Sequence, residues 1–118
     1  MSNITVGRLG EKMALSFLQD LGYELVVKNF RSRSGEIDLI VQKGNKLCFV
    51  EVKTRVGIAK GLPHEAIDAR KIYHLKNTSQ YYLLQSPHKN CKLSIDVVSI
   101  VLNADLTINK LKYFQNIL

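Results

Sequence analysis

One stretch constrains this chain more than any other, the run from Gly35 to Arg55. Two segments rich in Ile, Val, Leu and Phe flank Gly44-Asn45, and the spacing predicts a β-hairpin. Gly44 at the first central position of a two-residue loop supplies the positive φ of a type II′ turn. Such a turn fixes register. With Lys43 facing Lys46, counting back along both strands sets Asp38 opposite Glu51 and Glu36 opposite Lys53. Opposed residues share a face and side chains alternate with period two. One face is then expected to carry Glu36, Asp38, Glu51 and Lys53 at the open end, with Ile40 and Phe49 on the same side. The other face pairs Ile37 with Val52, Leu39 with Val50 and Val41 with Cys48, an apolar surface for a core.

Two directly opposed carboxylates repel unless something positive stands between them. A hard divalent cation such as Mg²⁺ or Mn²⁺ suits oxygen ligands and needs only one or two carboxylates, leaving room for water and a phosphate oxygen. Lys53 follows Glu51 by two residues, roughly 6–7 Å along the strand, within reach of a water or a developing phosphate charge. The chemistry this suggests is metal-assisted phosphodiester hydrolysis. A solvated face of cross-strand ion pairs is the plainer reading of the same residues.

Charge narrows the partners. Seventeen Lys and Arg against ten Asp and Glu leave a formal charge of +7 on 118 residues, with a pI near 9.5. So basic a chain favours a polyanion, and nucleic acid fits that description. No apolar run approaches the ~20 residues of a membrane span, and the opening residues lack the apolar region of a signal peptide. A cytoplasmic protein with no membrane partner is expected, folded as one domain over 1–118. Cys48 and Cys91 have no metal or redox spacing and read as small apolar residues.

Gly7 to Leu21 is predicted as an amphipathic helix ended by Gly22. Glu11 lies at the border of its apolar stripe, either at the edge of the charged cluster or simply as a first-turn glutamate favoured by the helix dipole. A strand over 23–30 leads through a basic loop, Arg31 to Gly35, into the hairpin. Arg31, Arg33 and Arg55 are candidate phosphate contacts. Val56 to Pro63 reads as a flexible loop, followed by a helix from Pro63 to about Leu84 with Glu65 and Asp68 in its first turn. Lys71 on that helix is a further candidate for the nucleic-acid backbone. After a polar loop at 86–90, Leu93 to Leu102 is the most apolar run and is predicted as a central strand. Asp96 within it is expected to find a Lys or Arg from the preceding helix. An edge strand over 106–113 closes the chain. His64, His74 and His88 lack ligand spacing and read as surface residues.

Gly35-Glu36-Ile37-Asp38 followed by Phe49-Val50-Glu51-Val52-Lys53-Thr54-Arg55, downstream of Gly10-Glu11 and Gly22-Tyr23, resembles the YraN-like family of bacterial proteins. The likeness continues through Gly61-Leu62-Pro63 and Lys71 to Ile95-Asp96-Val97-Val98. That family looks like a branch of the PD-(D/E)xK nuclease superfamily and is similar to archaeal Holliday junction resolvases. The resemblance implies an α/β fold with a restriction-endonuclease-like αβββαβ core, a mixed sheet flanked by helices. It further implies metal-binding carboxylates at Asp38 and Glu51, the motif lysine at Lys53, and Glu11 as the helix glutamate that completes a resolvase-type catalytic site. Ile37 stands where the superfamily has its proline, and Glu36 is a candidate supporting carboxylate behind the metal ligands. The expected activity is Mg²⁺- or Mn²⁺-dependent endonuclease action on DNA, with branched or distorted DNA the favoured substrate and a homodimer as the unit for cutting two strands. A nucleic-acid-binding module without turnover is the alternative, and a basic adaptor for an acidic protein is the weaker third.

Overall fold

The computed structural model describes residues 2–86 and 90–118. Ser2 caps α1 (Asn3–Asp20), its Oγ accepting the Thr5 amide proton at 3.2 Å. The helix therefore starts ahead of the predicted Gly7, because a serine cap satisfies an otherwise orphan amide. Gly22, at φ +96°, ends it. Then follow β1 (Glu24–Ser32), β2 (Gly35–Lys43), β3 (Lys46–Val56), a 3₁₀ turn (Pro63–Ala66), α2 (Ala69–Leu84), β4 (Lys92–Leu102) and β5 (Ile108–Phe114). This is the expected αβββαβ order, followed by the edge strand predicted near the end of the chain.

The five strands lie in sequence order, antiparallel except for β3 against β4. A parallel pair needs a crossover, and α2 supplies it. The hairpin turn matches expectation. Gly44 has φ +59°, and Lys43 pairs with Lys46, Val41 with Cys48 and Leu39 with Val50.

Apolar side chains cover both faces of the sheet. On one, α1 contributes Val6, Ala14 and Leu18 to a core with Leu39, Val41, Cys48, Val50, Val52 and Val98. On the other, α2 contributes Leu75 and Tyr82 to a core with Ile37, Ile40, Leu47, Phe49 and Ile95. Ile40 and Phe49, expected beneath a charged face, are thus wholly buried. Ile37 also departs from expectation, packing with Ile40 rather than with Leu39.

The cause lies at Asn29 and Asp38. The β1–β2 pairs run Lys28 with Leu39 and then Phe30 with Ile37, and the residue skipped on β1, Asn29, takes φ +52°. On β2 the regular alternation fails at Asp38. The β2–β3 ladder also stops at Leu39 and Val50, so neither Asp38 with Glu51 nor Glu36 with Lys53 is a ladder pair.

Other expectations need correction. β1 extends through Ser32, which reduces the basic loop to a tight turn at Arg33 and Ser34. The predicted helix from Pro63 is a separate 3₁₀ turn, in which Glu65 accepts the Leu62 amide proton at 2.9 Å. Asp68 then caps α2. Among the described residues, buried Asp96 makes no ion pair. It accepts hydrogen bonds from Ser94 Oγ and Tyr113 OH, both at 2.5 Å, and from the Asn116 amide at 2.9 Å. Neutral donors on β5 and the C-terminal residues satisfy it instead. His64 is half-buried rather than a surface residue, its Nδ1 3.2 Å from Ser99 Oγ and its ring on Phe114. His74 is half-buried too. His88 and part of the 86–90 loop lie outside the described residues.

Candidate metal and nucleic-acid site

Where the ladder stops, the Asp38 carboxylate enters the gap and accepts the Val52 amide proton at 2.8 Å. A side chain of β2 thereby satisfies the backbone of β3. Its carboxyl is also hydrogen-bonded to Glu51. Burial, then the bond to and charge of Glu51, push the Asp38 pKa up to about 9. Glu51 is 2% exposed, and its Oε2 is 2.8 Å from Lys71 Nζ. Burial alone would lower the Lys71 pKa, but the Glu51 hydrogen bond, with the charges of Glu51, Asp38 and Glu36, raises it overall.

Glu11 reaches toward this cluster from α1 without joining the pair. With its amide nitrogen turned to the carboxylates, Asn29 donates to Glu11 Oε1 at 3.0 Å and to Glu36 Oε1 at 3.1 Å. Burial and the charge of Glu36 raise the Glu11 pKa, the Asn29 bond opposes the rise, and Glu51 adds to it. Gly10 allows this placement. A Cβ there would stand 1.7 Å from Thr54 Oγ1, so only glycine lets α1 lie this close to β3.

Among the described residues no three His, Cys, Asp or Glu side chains form a ready metal cage. The structure brings Asp38 and Glu51 together and leaves Glu11 beside them. The donors are nevertheless hard oxygens, and the pair already needs a positive species between its members. That combination suits a small divalent cation.

Lys53 makes no ion pair among the described residues. It borders a cleft of about 540 Å³ with Asn3, Arg55, Gly57 and Lys60. The Arg55 guanidinium donates to the carbonyls of Lys60 and Gly61, tying down the loop expected to be flexible. On the α1 side a second cleft, about 620 Å³, has Arg8, Lys12, Lys28, Glu11 and Asn29 on its walls. Arg31 pairs with Glu36 at 3.6 Å, and Arg33 is exposed in the β1–β2 turn.

Asn29, and the contact of Lys71 with Glu51, had escaped sequence reasoning. Asn29 carried a signal, since asparagine is a poor strand former that tolerates positive φ. For the Lys71 bond to Glu51 no local signal exists, because the two meet only through the crossover.

The sequence model of a family described as uncharacterised protein family UPF0102 matches residues 10–100. The chain belongs to that family. This agrees with the YraN-like resemblance of the hairpin and α1 motifs. A UPF0102 protein of Caldicellulosiruptor saccharolyticus is 41% identical over 115 residues, covering 95% of this chain and 98% of its own. One from Caldanaerobacter subterraneus subsp. tengcongensis is 40% identical over 113 residues, covering 95% and 93%. One from Dictyoglomus thermophilum is 35% identical over 116 residues, covering 98% of each. The UPF0102 chain has no helix, among the described residues, long and apolar enough to cross a membrane.

Proposed function

We propose that this UPF0102 chain is a divalent-metal-dependent, endonuclease-like protein that binds DNA and hydrolyses its phosphodiester bonds, with branched or distorted DNA as substrate. The observation that carries the reading is the buried, hydrogen-bonded carboxyl pair Asp38 and Glu51 at the break between β2 and β3. The formal charge of +7 supports a polyanionic partner.

Asp38 and Glu51 are the residues that would hold Mg²⁺ or Mn²⁺, with Glu11 nearby to bind through water. Bound there, the ion supplies Lewis-acid polarisation of a phosphoryl oxygen and a more acidic water. In the hydrolysis, the water oxygen bonds to phosphorus as the bond to the leaving sugar oxygen breaks. Lys53, which makes no ion pair among the described residues, offsets the charge that grows on the phosphate. Arg31, Arg33, Arg55 and Lys71 are the proposed backbone contacts. The protein acts in the cytoplasm, and a homodimer would provide the two sites that symmetric cutting requires.

The engagement of Glu51 by Lys71 favours one second reading, a nucleic-acid-binding module without turnover. Cleavage of end-labelled duplex, single-stranded, flap and four-way-junction DNA with Mg²⁺ or Mn²⁺, parent against Asp38→Ala, separates the two. Cutting by the parent that the variant loses supports the nuclease. Salt-sensitive binding without cutting supports the module. Binding indifferent to salt defeats both and points to a basic adaptor.

A further inference from the structure

Lys71 approaches Glu51 from a fixed backbone. Asp68, the cap of α2, accepts the Lys71 amide proton at 2.8 Å, which sets Lys71 in the first turn. A cation in the first turn works against the helix dipole, so this lysine is not there for the helix. Its ammonium instead closes on a carboxylate that is almost entirely buried. The lysine side chain itself remains 34% exposed, on a flexible stem that can carry its charge outward without backbone movement.

Glu51 thus already has a singly charged occupant, the ammonium of Lys71, on the carboxylate oxygen that a divalent cation would need. We propose that Lys71 is a built-in competitor for the metal: its ammonium holds Glu51 in the metal-free protein, a divalent cation displaces it, and the released ammonium turns to a phosphate oxygen of the nucleic acid. The inference rests on the reading of Asp38 and Glu51 as metal ligands. It makes metal binding and phosphate binding mutually reinforcing, since a phosphate that draws Lys71 away clears Glu51, and linkage requires the converse.

The test uses Mn²⁺ and the whole chain, without nucleic acid, reading the free-ion signal by electron paramagnetic resonance. Lys71→Gln, which still donates a hydrogen bond but lacks the charge, should bind Mn²⁺ about tenfold more tightly, as expected on removing one contact charge in a partly screened site. Lys71→Arg should bind no more tightly than the parent. Asp38→Asn should weaken binding in the parent and in Lys71→Gln alike. In the parent itself, acetylation of Lys71 by acetic anhydride, measured by mass spectrometry against exposed Lys76, should rise severalfold with Mn²⁺. This arm needs no variant to fold.

Should Lys71→Gln bind no better and Lys71 acetylation stay flat while Asp38→Asn still weakens binding, the competition is wrong and the metal site stands. Should Asp38→Asn change nothing in either background, the site assignment fails and the competition with it.

Discussion

Asp38 Oδ2 lies 2.8 Å from the Val52 amide nitrogen, a bond between a β2 side chain and the β3 backbone made just where the ladder between those strands ends. The gap is therefore stabilised by the residue that gives it its chemistry. The carboxyl gives one oxygen to structure and is hydrogen-bonded to Glu51.

The raised pKa of Asp38 makes stability depend on pH. The folded pKa of Asp38, about 9, exceeds the unfolded value of roughly 4, so between those limits the folded protein binds the extra proton. Stability then falls as pH rises through that window. Thermal unfolding in chelator should show Tm dropping steadily from pH 5 to 9. Asp38→Asn should flatten the slope, and an equally steep profile in that variant would remove the proton from this pair.

Lys53 serves no fold contact among the described ion pairs and hydrogen bonds. Lys53→Ala should leave urea unfolding within about 0.5 kcal/mol of the parent, as surface substitutions do. DNA cleavage by the same variant should fall at least a hundredfold. A large loss of stability would give Lys53 a structural role.

Gly10→Ala should be costly although alanine is the better helix former. The new Cβ meets Thr54 Oγ1, Cβ and Cγ2, all closer than 3.0 Å, and overpacking of this kind costs about 1–3 kcal/mol. The measurement is urea denaturation, with Gly7→Ala as comparison, because nothing lies within 4 Å of a Cβ at Gly7. Equal effects at the two glycines would mean that α1 does not need this close approach.

Asp96→Ala strands three donors on Ser94, Tyr113 and Asn116. At roughly 1–3 kcal/mol for each buried group left unpaired, with some regaining water, a loss of about 3 kcal/mol is expected in equilibrium unfolding. Tyr113→Phe should lose about 1 kcal/mol.

The two cysteines should differ in reactivity. Cys48 is fully buried, and burial, with the Asp96 charge, pushes its thiol up to about 12. Cys91 is partly exposed. A disulfide reagent such as DTNB should titrate one thiol quickly in the native protein and the second only on unfolding.

The hairpin, its register and the helix-flanked mixed sheet were legible in the sequence because turn chemistry and alternation are local. So was the convergence of Asp38 with Glu51, since each directly adjoins the last ladder pair, Leu39 with Val50. The break at Asp38 was not legible, because alternation assumes an unbroken ladder and Asn29 interrupts it by positive φ. Ile37 was misplaced for that reason. Asp96 misled through an expectation of countercharge, when Tyr113 and Asn116 bring enough neutral donors from the chain's end. Lys71 was read only as a phosphate contact, since its meeting with Glu51 depends on how far the crossover carries α2.

α1 and α2 cover opposite faces of the sheet, yet Glu11 from one and Lys71 from the other both feel the charge of Glu51. The break at Asp38 is consequently a polar seam running through the sheet from layer to layer. Whatever binds in such a seam links both helices to the strands at once. Its signature in hydrogen exchange would be slowed amides on α1 and α2 together, a cooperative tightening of three layers.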